Sequence, residues 1–316
     1  MPSKTLNFKD LSDGQSIPAT VHWKDGDSGA SKGVALVFHG GSFVLGSRLM
    51  NPQEHIDDLQ DAGFVAVTPD YRLCPQVSLY EGPEQDARDA FRWCKSQLPR
   101  LMASEGVTID PSKIVALGYS AGGTLALCLG SEEDPPSAIV DFYGAKCFRD
   151  EFWTTPLPAM AGLPSFDQSF LDRVYEEPLQ TFVPISLEKS ANASDEPSEG
   201  MPRMDMSVPR NAWLFSAMKV GTQMKLLIQD DDFDRVDPTN AFSSSFPPTM
   251  FIHGTADDLI PLRFSQKAHA RLVELGVETK IALVEGKGHG FDIGLQKTDP
   301  AYTVVKEGIS FLKEHV

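Results

Sequence analysis

The strongest constraint on the fold is a recurring pattern of short apolar runs separated by helical segments. Each run holds three to five residues and ends at turn-forming residues, as strands buried on both faces of a parallel sheet do. Apolar residues at 87, 90, 91, 94 and 98, and again at 305, 309 and 312, have helical spacing. Strand and helix in alternation predict an α/β fold with a doubly wound, mostly parallel sheet. The predicted parallel strands are 34–38, 64–68, 114–117, 138–142, 250–252 and 281–284.

Two stretches depart from this alternation. Residues 17–23 have the pattern of a strand with no helix on either side, which predicts an antiparallel start to the sheet. Between 148 and 245 the alternation breaks, and the stretch is rich in Met, Pro, Phe and Trp. We therefore expect a core formed by 1–147 and 246–316, and an inserted, partly flexible cap over 148–245. The polar segment 188–210 of this cap has the composition of a surface loop.

The charge balance narrows the classes of partner. The chain has 316 residues and a formal net charge of −16, which opposes binding to nucleic acid or to an anionic membrane surface. A small, neutral or apolar molecule remains the expected partner. Nothing in the sequence specifies an oligomeric state.

Cysteine usage and the absence of long apolar runs predict the compartment. Cys74, Cys94, Cys128 and Cys147 show neither C-x-x-C pairing nor metal-ligand spacing, so we expect reduced thiols in the core. The first residues lack the apolar stretch of a signal peptide, and no later run is long enough to cross a bilayer. These features predict a cytoplasmic protein with no membrane insertion.

A serine between two glycines is the first candidate for chemistry. The pentapeptide Gly118-Tyr119-Ser120-Ala121-Gly122 follows a predicted strand and precedes an apolar helical run. A serine hydroxyl needs a sharp turn to project toward a base, and flanking glycines give the backbone room for that turn. The motif predicts Ser120 as a nucleophile.

A glycine pair after an earlier strand suits the stabilisation of an oxyanion. His39-Gly40-Gly41-Ser42-Phe43 follows the predicted strand 34–38, and small residues there let backbone N–H groups approach a tetrahedral intermediate. The sequence predicts an oxyanion hole formed by Gly40, Gly41 and Ala121. His39 itself we expect to be structural.

An acid and a histidine follow Ser120 in the order that this chemistry requires. Asp257 comes just after the strand 250–252, and His289 just after the strand 281–284. Parallel strands deliver such residues to one edge of the sheet. We expect His289 to act as the base and Asp257 to orient it. Asp258 is the main alternative to Asp257, and the acidic run at 230–232 is a weaker one, better explained as solvated surface.

Together these residues resemble a known group of proteins, the α/β-hydrolase superfamily and, within it, the hormone-sensitive-lipase-like (α/β-hydrolase fold-3) esterases. The resemblance covers 34–140 and 246–316 and implies an α/β-hydrolase fold and carboxylic ester hydrolysis without metal or organic cofactor. Members generally carry an N-terminal cap, whereas the insertion here follows Ser120. Besides the Asp257 and His289 motifs, the matching stretches are His39-Gly40-Gly41-Ser42-Phe43, Pro69-Asp70-Tyr71-Arg72-Leu73-Cys74-Pro75, Asp110-Pro111-Ser112-Lys113-Ile114 and Ser120-Ala121-Gly122-Gly123.

The leading hypothesis is a carboxylesterase-type serine hydrolase that acts on an ester, lactone, thioester or other acyl group of a specialised metabolite. A serine peptidase of the prolyl-oligopeptidase type is a second hypothesis, because the motif around Asp257 also occurs in those enzymes. A ligand-binding protein on a retired hydrolase scaffold is a third. Such a protein would be expected to lack one of the three predicted residues, and here all three are present.

Overall fold

A single twisted sheet organises the molecule. A computed structural model describes residues 1–24, 31–184 and 204–316. The strands in these ranges are β1 Ser3–Asp10, β2 Ser16–His22, β3 Lys32–Phe38, β4 Val65–Pro69, β5 Ile109–Tyr119, β6 Ile139–Phe142, β7 Thr249–Gly254 and β8 Thr279–Val284. They form one eight-stranded sheet in the order β1-β2-β4-β3-β5-β6-β7-β8. Strands β3 to β8 run parallel, whereas β2 pairs antiparallel with β1 and β4. The predicted fold class is confirmed.

Helices cover both faces of the sheet. The helices are α1 Gln53–Asp61, α2 Gln85–Ser96, α3 Leu98–Ala103, α4 Ala121–Cys128, α5 Gln168–Leu171, α6 Pro209–Val220, α7 Gln223–Ile228, α8 Phe233–Val236, α9 Arg263–Glu274 and α10 Thr303–Glu314. Apolar residues of α1 and α10 pack on one face, and those of α2, α3, α4 and α9 pack on the other. None of the helices in the described ranges has the length and apolar character that a bilayer span requires. Short 3-10 or π turns occur at Arg48–Met50, Tyr80–Glu84, Leu129–Ser131, Glu151–Thr154, Pro158–Met160, Asp172–Glu176, Pro238–Ala241 and Pro300–Tyr302.

The central strands supply side chains to two apolar layers at once. All seven residues of β3 are buried, because successive side chains of a strand point to opposite faces. Val34 and Leu36 belong to the layer under α2 and α4, while Ala35 and Val37 belong to the layer under α1 and α10. The continuous apolar runs of the sequence follow directly from this two-sided burial.

The sheet differs from the sequence-based expectation at both edges. β8 contains the predicted run 281–284, but only Val284 of this strand is buried. The expectation of two-sided burial was wrong here, since β8 pairs with β7 alone. β1 was not predicted at all. Its alternation is weak, because it is an edge strand in which only Phe8 is buried.

Residues 148–184 and 204–245 lie between β6 and β7 and contain α5 to α8. Several of their side chains, including Trp153, Leu157 and Met218, line the same cavity as Ser120. We call these two ranges the cap, and their forming a separate, partly flexible unit stays a prediction. Most of the predicted surface loop, residues 188–203, lies outside the described residues.

Arg210 corrects the other end of that predicted loop. It lies near the start of α6 and is only 1% exposed. Its guanidinium donates to the carbonyl oxygens of Cys74 at 2.6 Å and Val44 at 3.2 Å, and to Gln76 Oε1 at 2.7 Å. Its Nε pairs with Glu177 at 2.7 Å. A buried arginine is tolerated here because its donors meet fixed acceptors, and the contacts join the cap to the core.

We expect Arg210→Met to destabilise the protein by about 2–5 kcal/mol, because two buried carbonyl groups would lose their donor. Urea unfolding followed by circular dichroism measures this difference. Arg149→Met is the matched control, because Arg149 pairs with Asp234 on the surface, where ion pairs contribute little. An equal unfolding midpoint for the two variants would contradict the conclusion that the Arg210 contacts, here called the Arg210 clamp, stabilise the joint between cap and core.

Candidate active site

Ser120 occupies a strained turn between β5 and α4. Its backbone has φ 53° and ψ −119°, a conformation that a side-chain-bearing residue rarely adopts. The neighbouring glycines are required by contact: a Cβ on Gly118 would lie 2.1 Å from the carbonyl oxygen of Gly122, and one on Gly122 would lie 2.2 Å from that of Phe38. The helix therefore packs directly on the strands, and the turn projects the Ser120 hydroxyl out of the sheet edge.

His289 meets Ser120 from the loop after β8. The distance from Ser120 Oγ to His289 Nε2 is 2.9 Å. The imidazole packs edge-on against the ring of Tyr143, with 4.7 Å between ring centroids. These contacts hold one nitrogen toward the serine and leave the other directed at a carboxylate.

That carboxylate belongs to Asp257. Its Oδ2 lies 2.9 Å from His289 Nδ1, and its Oδ1 accepts from the backbone N–H groups of Leu259 at 3.0 Å and Ile260 at 2.8 Å. Burial by itself would raise the pKa of Asp257. Hydrogen bonds from His253 and His289 outweigh this effect and hold the pKa of Asp257 well below its usual range. The group is therefore a fixed, ionised acceptor.

The structure brings Ser120, His289 and Asp257 together, and it does not bring the alternative acids to this place. Asp258 is exposed. The acidic run is also exposed, and its Asp230 and Asp232 pair with Arg235. With Ser120 donating to His289 and His289 donating to Asp257, the arrangement allows His289 to accept a proton from a nucleophilic serine.

The loop from His39 to Gly46, the glycine loop, passes directly beside Ser120. A Cβ on Gly40 would lie 3.4 Å from Ser120 Cβ. Gly41 has φ +117°, and a Cβ there would lie 2.1 Å from the carbonyl oxygen of Leu45, so only glycine fits. The loop thus brings the predicted oxyanion donors of Gly40 and Gly41 to the same place as Ala121, the first residue of α4.

His39 supports this loop from beneath. It is fully buried, stacks on Tyr71 with 4.2 Å between ring centroids, and its Nδ1 donates to the carbonyl oxygen of Gly40 at 2.6 Å. Burial lowers the pKa of His39 to about 4. The Asp70 carboxylate binds Arg48, and Arg72 pairs with Asp86. None of these contacts involves the Ser120 hydroxyl, as expected for structural residues.

Two cavities meet at Ser120 and His289. The first has a volume of about 600 Å³, its open mouth included, and is lined by cap residues that include Phe152, Trp153 and Leu157. The second has a volume of about 820 Å³, measured in the same way, and is lined by apolar residues that include Phe215 and Ile293. Their walls are mostly apolar, so the site is open to a substrate that extends to both sides of the serine. No cluster of His, Cys, Asp or Glu in the described ranges could hold a metal ion.

Three residues of this region were missed by sequence reasoning. His253 contacts Asp257 Oδ2 at 3.1 Å, although it precedes the acid in sequence and so does not fit the order serine, acid, histidine. Tyr143 donates a hydrogen bond to the buried Asp292. The signals were the four-residue spacing from His253 to Asp257 and the position of Asp292 three residues after His289. Neither spacing predicts a contact from the sequence alone, because the contact depends on how the loops fold.

Comparison with known proteins identifies the scaffold. Residues 35–155 match the alpha/beta hydrolase fold family, and residues 203–316 match the prolyl oligopeptidase family. The chain belongs to the α/β-hydrolase superfamily. This α/β-hydrolase superposes on a protein of unknown function from Staphylococcus aureus with a TM-score of 0.72 at 17% identity, covering 100% of this chain and 99% of the other. It superposes on propionate-bound esterase Est2 of Thermogutta terrifontis with a TM-score of 0.62 at 21% identity, covering 99% and 94% of the chains.

Relatives of higher sequence identity are much longer proteins. The α/β-hydrolase is 33% identical over 332 residues to the non-reducing polyketide synthase ausA of Aspergillus calidoustus, in a match that covers 95% of this chain and 13% of the synthase. It is 31% identical over 327 residues to the non-reducing polyketide synthase Preu3 of Preussia isomera, covering 90% and 13%. The chain therefore spans only a small part of the length of these relatives. Together, the comparisons support a hydrolase.

Exchanging each of the neighbouring acids for its amide tests the choice of orienting residue. We expect Asp257→Asn to lower kcat by about 10⁴-fold, because the amide cannot hold the imidazole as the carboxylate does. Asp258→Asn is the matched control and should stay within about twofold of wild type, since Asp258 is exposed. Steady-state hydrolysis of a p-nitrophenyl ester gives both values. A larger loss in Asp258→Asn would show that Asp258, and not Asp257, orients the histidine.

Asp292 predicts a pH-dependent stability. Burial raises its pKa to about 6, although the hydrogen bond from Tyr143 acts in the opposite direction. The folded state therefore binds this proton more tightly than the unfolded chain. Ionisation of the buried Asp292 carboxyl lowers the free energy of unfolding as the pH rises from about 4 through 6. We expect Asp292→Asn to gain about 2 kcal/mol relative to wild type between pH 4 and pH 7. Urea unfolding of both proteins at the two pH values measures it, and a constant difference would contradict the prediction.

Proposed function

We propose that this α/β-hydrolase is a carboxylesterase-type serine hydrolase that cleaves esters or thioesters of a bulky, largely apolar acyl group through an acyl-enzyme on Ser120. The observation that carries this proposal is the unbroken set of contacts from Ser120 through His289 to Asp257, with 2.9 Å at each step. These contacts open on two apolar cavities rather than on a charged groove.

The proposed mechanism follows from the positions of the protons. Ser120 Oγ attacks the acyl carbon while His289 Nε2 takes its proton, and Asp257 stabilises the resulting imidazolium. The N–H groups of Gly40, Gly41 and Ala121 would bind the oxyanion of the tetrahedral intermediate. His289 then protonates the leaving alcohol or thiol, and water repeats the cycle to release the acid. No step in this sequence uses a cofactor.

The substrate class rests on the cavity walls and on the relatives. The first cavity is lined by Phe152, Trp153, Leu157 and Met218, which suits rings or alkyl chains better than charged groups. Similarity to non-reducing polyketide synthases across more than nine-tenths of the chain favours an acyl group of the polyketide type. An ester, a lactone or a thioester of such a group is the proposed substrate.

A serine peptidase is the second candidate, because residues 203–316 match the prolyl oligopeptidase family. That region contains both Asp257 and His289. The two functions share the same triad and differ in the leaving group, an amine in place of an alcohol or thiol. Peptide p-nitroanilides beside the ester panel separate them, since peptide cleavage without ester cleavage would favour the peptidase.

The proposal is tested by Ser120→Ala. Wild type should hydrolyse p-nitrophenyl esters and N-acetylcysteamine thioesters and react with a fluorophosphonate probe, whereas Ser120→Ala should lose labelling and at least about 10⁴-fold in kcat. We expect longer or aromatic acyl groups to be preferred to acetyl because the cavities are apolar. Labelling that persists in Ser120→Ala would place the nucleophile elsewhere.

A further inference from the structure

The Asp257 carboxylate contacts two imidazoles on one oxygen. Besides His289, His253 Nε2 lies 3.1 Å from Asp257 Oδ2. The two histidines are held very differently. His253 belongs to β7 and is fully buried, whereas His289 lies in a loop and its side chain is 12% exposed. The oxygen that faces His289 is therefore also held by a residue of a central strand.

The contacts of His253 define where its proton lies. Its Nε2 faces two acceptors, Asp257 Oδ2 and the carbonyl oxygen of Ile260 at 2.9 Å, so this nitrogen must carry a hydrogen. Its Nδ1 lies 2.9 Å from Ser265 Oγ. In a neutral imidazole this second nitrogen is an acceptor, and the Ser265 hydroxyl donates to it.

Ser265 is in turn held by a buried ammonium group. Lys146 Nζ lies 3.2 Å from Ser265 Oγ and 2.7 Å from Asp141 Oδ2, and Lys146, Ser265 and Asp141 are all fully buried. The ammonium can only donate, so it fixes the Ser265 oxygen as its acceptor and leaves the hydroxyl hydrogen for His253. Hydrogen bonds thus run in one direction from Lys146 to Asp257.

We propose that His253, held by Ser265 and Lys146, is a positioning residue that orients the Asp257 carboxylate toward His289. This inference rests on the proposed function, because it concerns how Asp257 serves His289. The N–H groups of His253, Leu259 and Ile260 that bind Asp257 all belong to the segment from β7 to the loop after it. Without His253, the described partner that remains on Oδ2 is His289. The strand β7 would then no longer fix the orientation of the carboxylate.

The same chain of hydrogen bonds gives a reason for the proton to stay on His289. When Ser120 attacks a substrate, the new positive charge could in principle be shared between the two imidazoles beside Asp257. A second proton on His253 would need a new acceptor at Nδ1, where Ser265 is already oriented as a donor by Lys146. Among the described residues, the Tyr143 ring also faces His253, edge-on and with 6.5 Å between ring centroids.

His253→Leu and His253→Gln test the proposal. Leucine removes the donor, whereas the glutamine amide can still donate to Asp257. We expect His253→Leu to lower kcat for p-nitrophenyl butyrate about 10–100-fold, the usual effect of losing a group that orients a functional residue. KM should hardly change, since His253 lines neither cavity in the described part of the chain. His253→Gln should recover most of kcat, and Ser265→Ala should fall between wild type and His253→Leu.

Two controls separate a positioning effect from damage to the fold. The first control is His269→Leu, the same substitution at a histidine that contacts Thr279 and none of the candidate site residues. Its kcat should equal that of wild type. The second control is the NMR signal of the His289 Nδ1 proton, which reports the hydrogen bond to Asp257. Loss of the His253 donor leaves the carboxylate less well oriented and weakens this charge-assisted bond, so the signal should move upfield in His253→Leu and stay close to its wild-type position in His253→Gln.

The NMR measurement does not depend on turnover, so it judges this inference even if the protein cleaves no ester. Absence of hydrolysis and of probe labelling in wild type would overturn the proposed function alone. An unchanged His289 proton signal in His253→Leu would overturn the positioning role, whatever the value of kcat. If His253→Leu fails to fold, His253→Gln and Ser265→Ala distinguish the two roles, because an equal loss of kcat in both would indicate a purely structural histidine.

Discussion

The close packing of α4 on the sheet is the constraint on which the site depends. Gly122 touches the backbone of Phe38, and Gly118 touches the backbone of Gly122, with no room for a side chain at either position. This contact forces the chain to turn sharply at Ser120 and accounts for its positive φ. The strained backbone of Ser120 is stabilised by α4, all of whose residues are buried. Such strain is stable only because the surrounding core over-determines it.

The loops above the sheet complete the site through backbone contacts as much as through side chains. The glycine loop turns back on itself, as Val44 and Leu45 both donate to the carbonyl oxygen of Gly41 at 3.0 and 2.9 Å. The loop after β7 wraps its own amides around Asp257. In both cases the backbone shape fixes where functional groups lie. Chemistry at this edge of the sheet is thus prepared by the fold before any substrate arrives.

Much of this arrangement could be predicted from the sequence, because the strands and the motifs that follow them are adjacent in the chain. Buried parallel strands leave continuous apolar runs, and the motifs around Ser120 and Asp257 each follow such a run directly. The motif around His289 follows an apolar run as well, although that run belongs to the edge strand β8. What the sequence could not show depends on contacts between distant segments. His253 and Ser265 carry no distinctive pattern, and their meeting is created by the packing of α9 on β7. Arg210 resembled a loop residue because its acceptors, near Cys74 and Val44, lie more than a hundred positions away in sequence.

The edge strands of the sheet show a second limit of prediction from sequence. β1 alternates weakly because water solvates most of its side chains, and β8 is apolar enough to resemble a central strand although it has one neighbour. Burial at a sheet edge depends on what lies beside the strand, which periodicity does not record. The described part of the cap is harder still, since short helices joined by proline-rich turns have little periodic signal of their own.

Arg210 has a practical consequence for anyone who wishes to change the specificity of this protein. The guanidinium holds the carbonyl of Val44 in the glycine loop and, through Cys74 and Gln76, the loop beside it. Cap and glycine loop are therefore a single structural unit. A cap transplanted from another hydrolase would arrive without the guanidinium donor that these core acceptors need, and it would disturb the loop beside Ser120. Redesign of the substrate range is better directed at individual cavity walls, such as Phe152 or Phe215, which carry no part of this clamp.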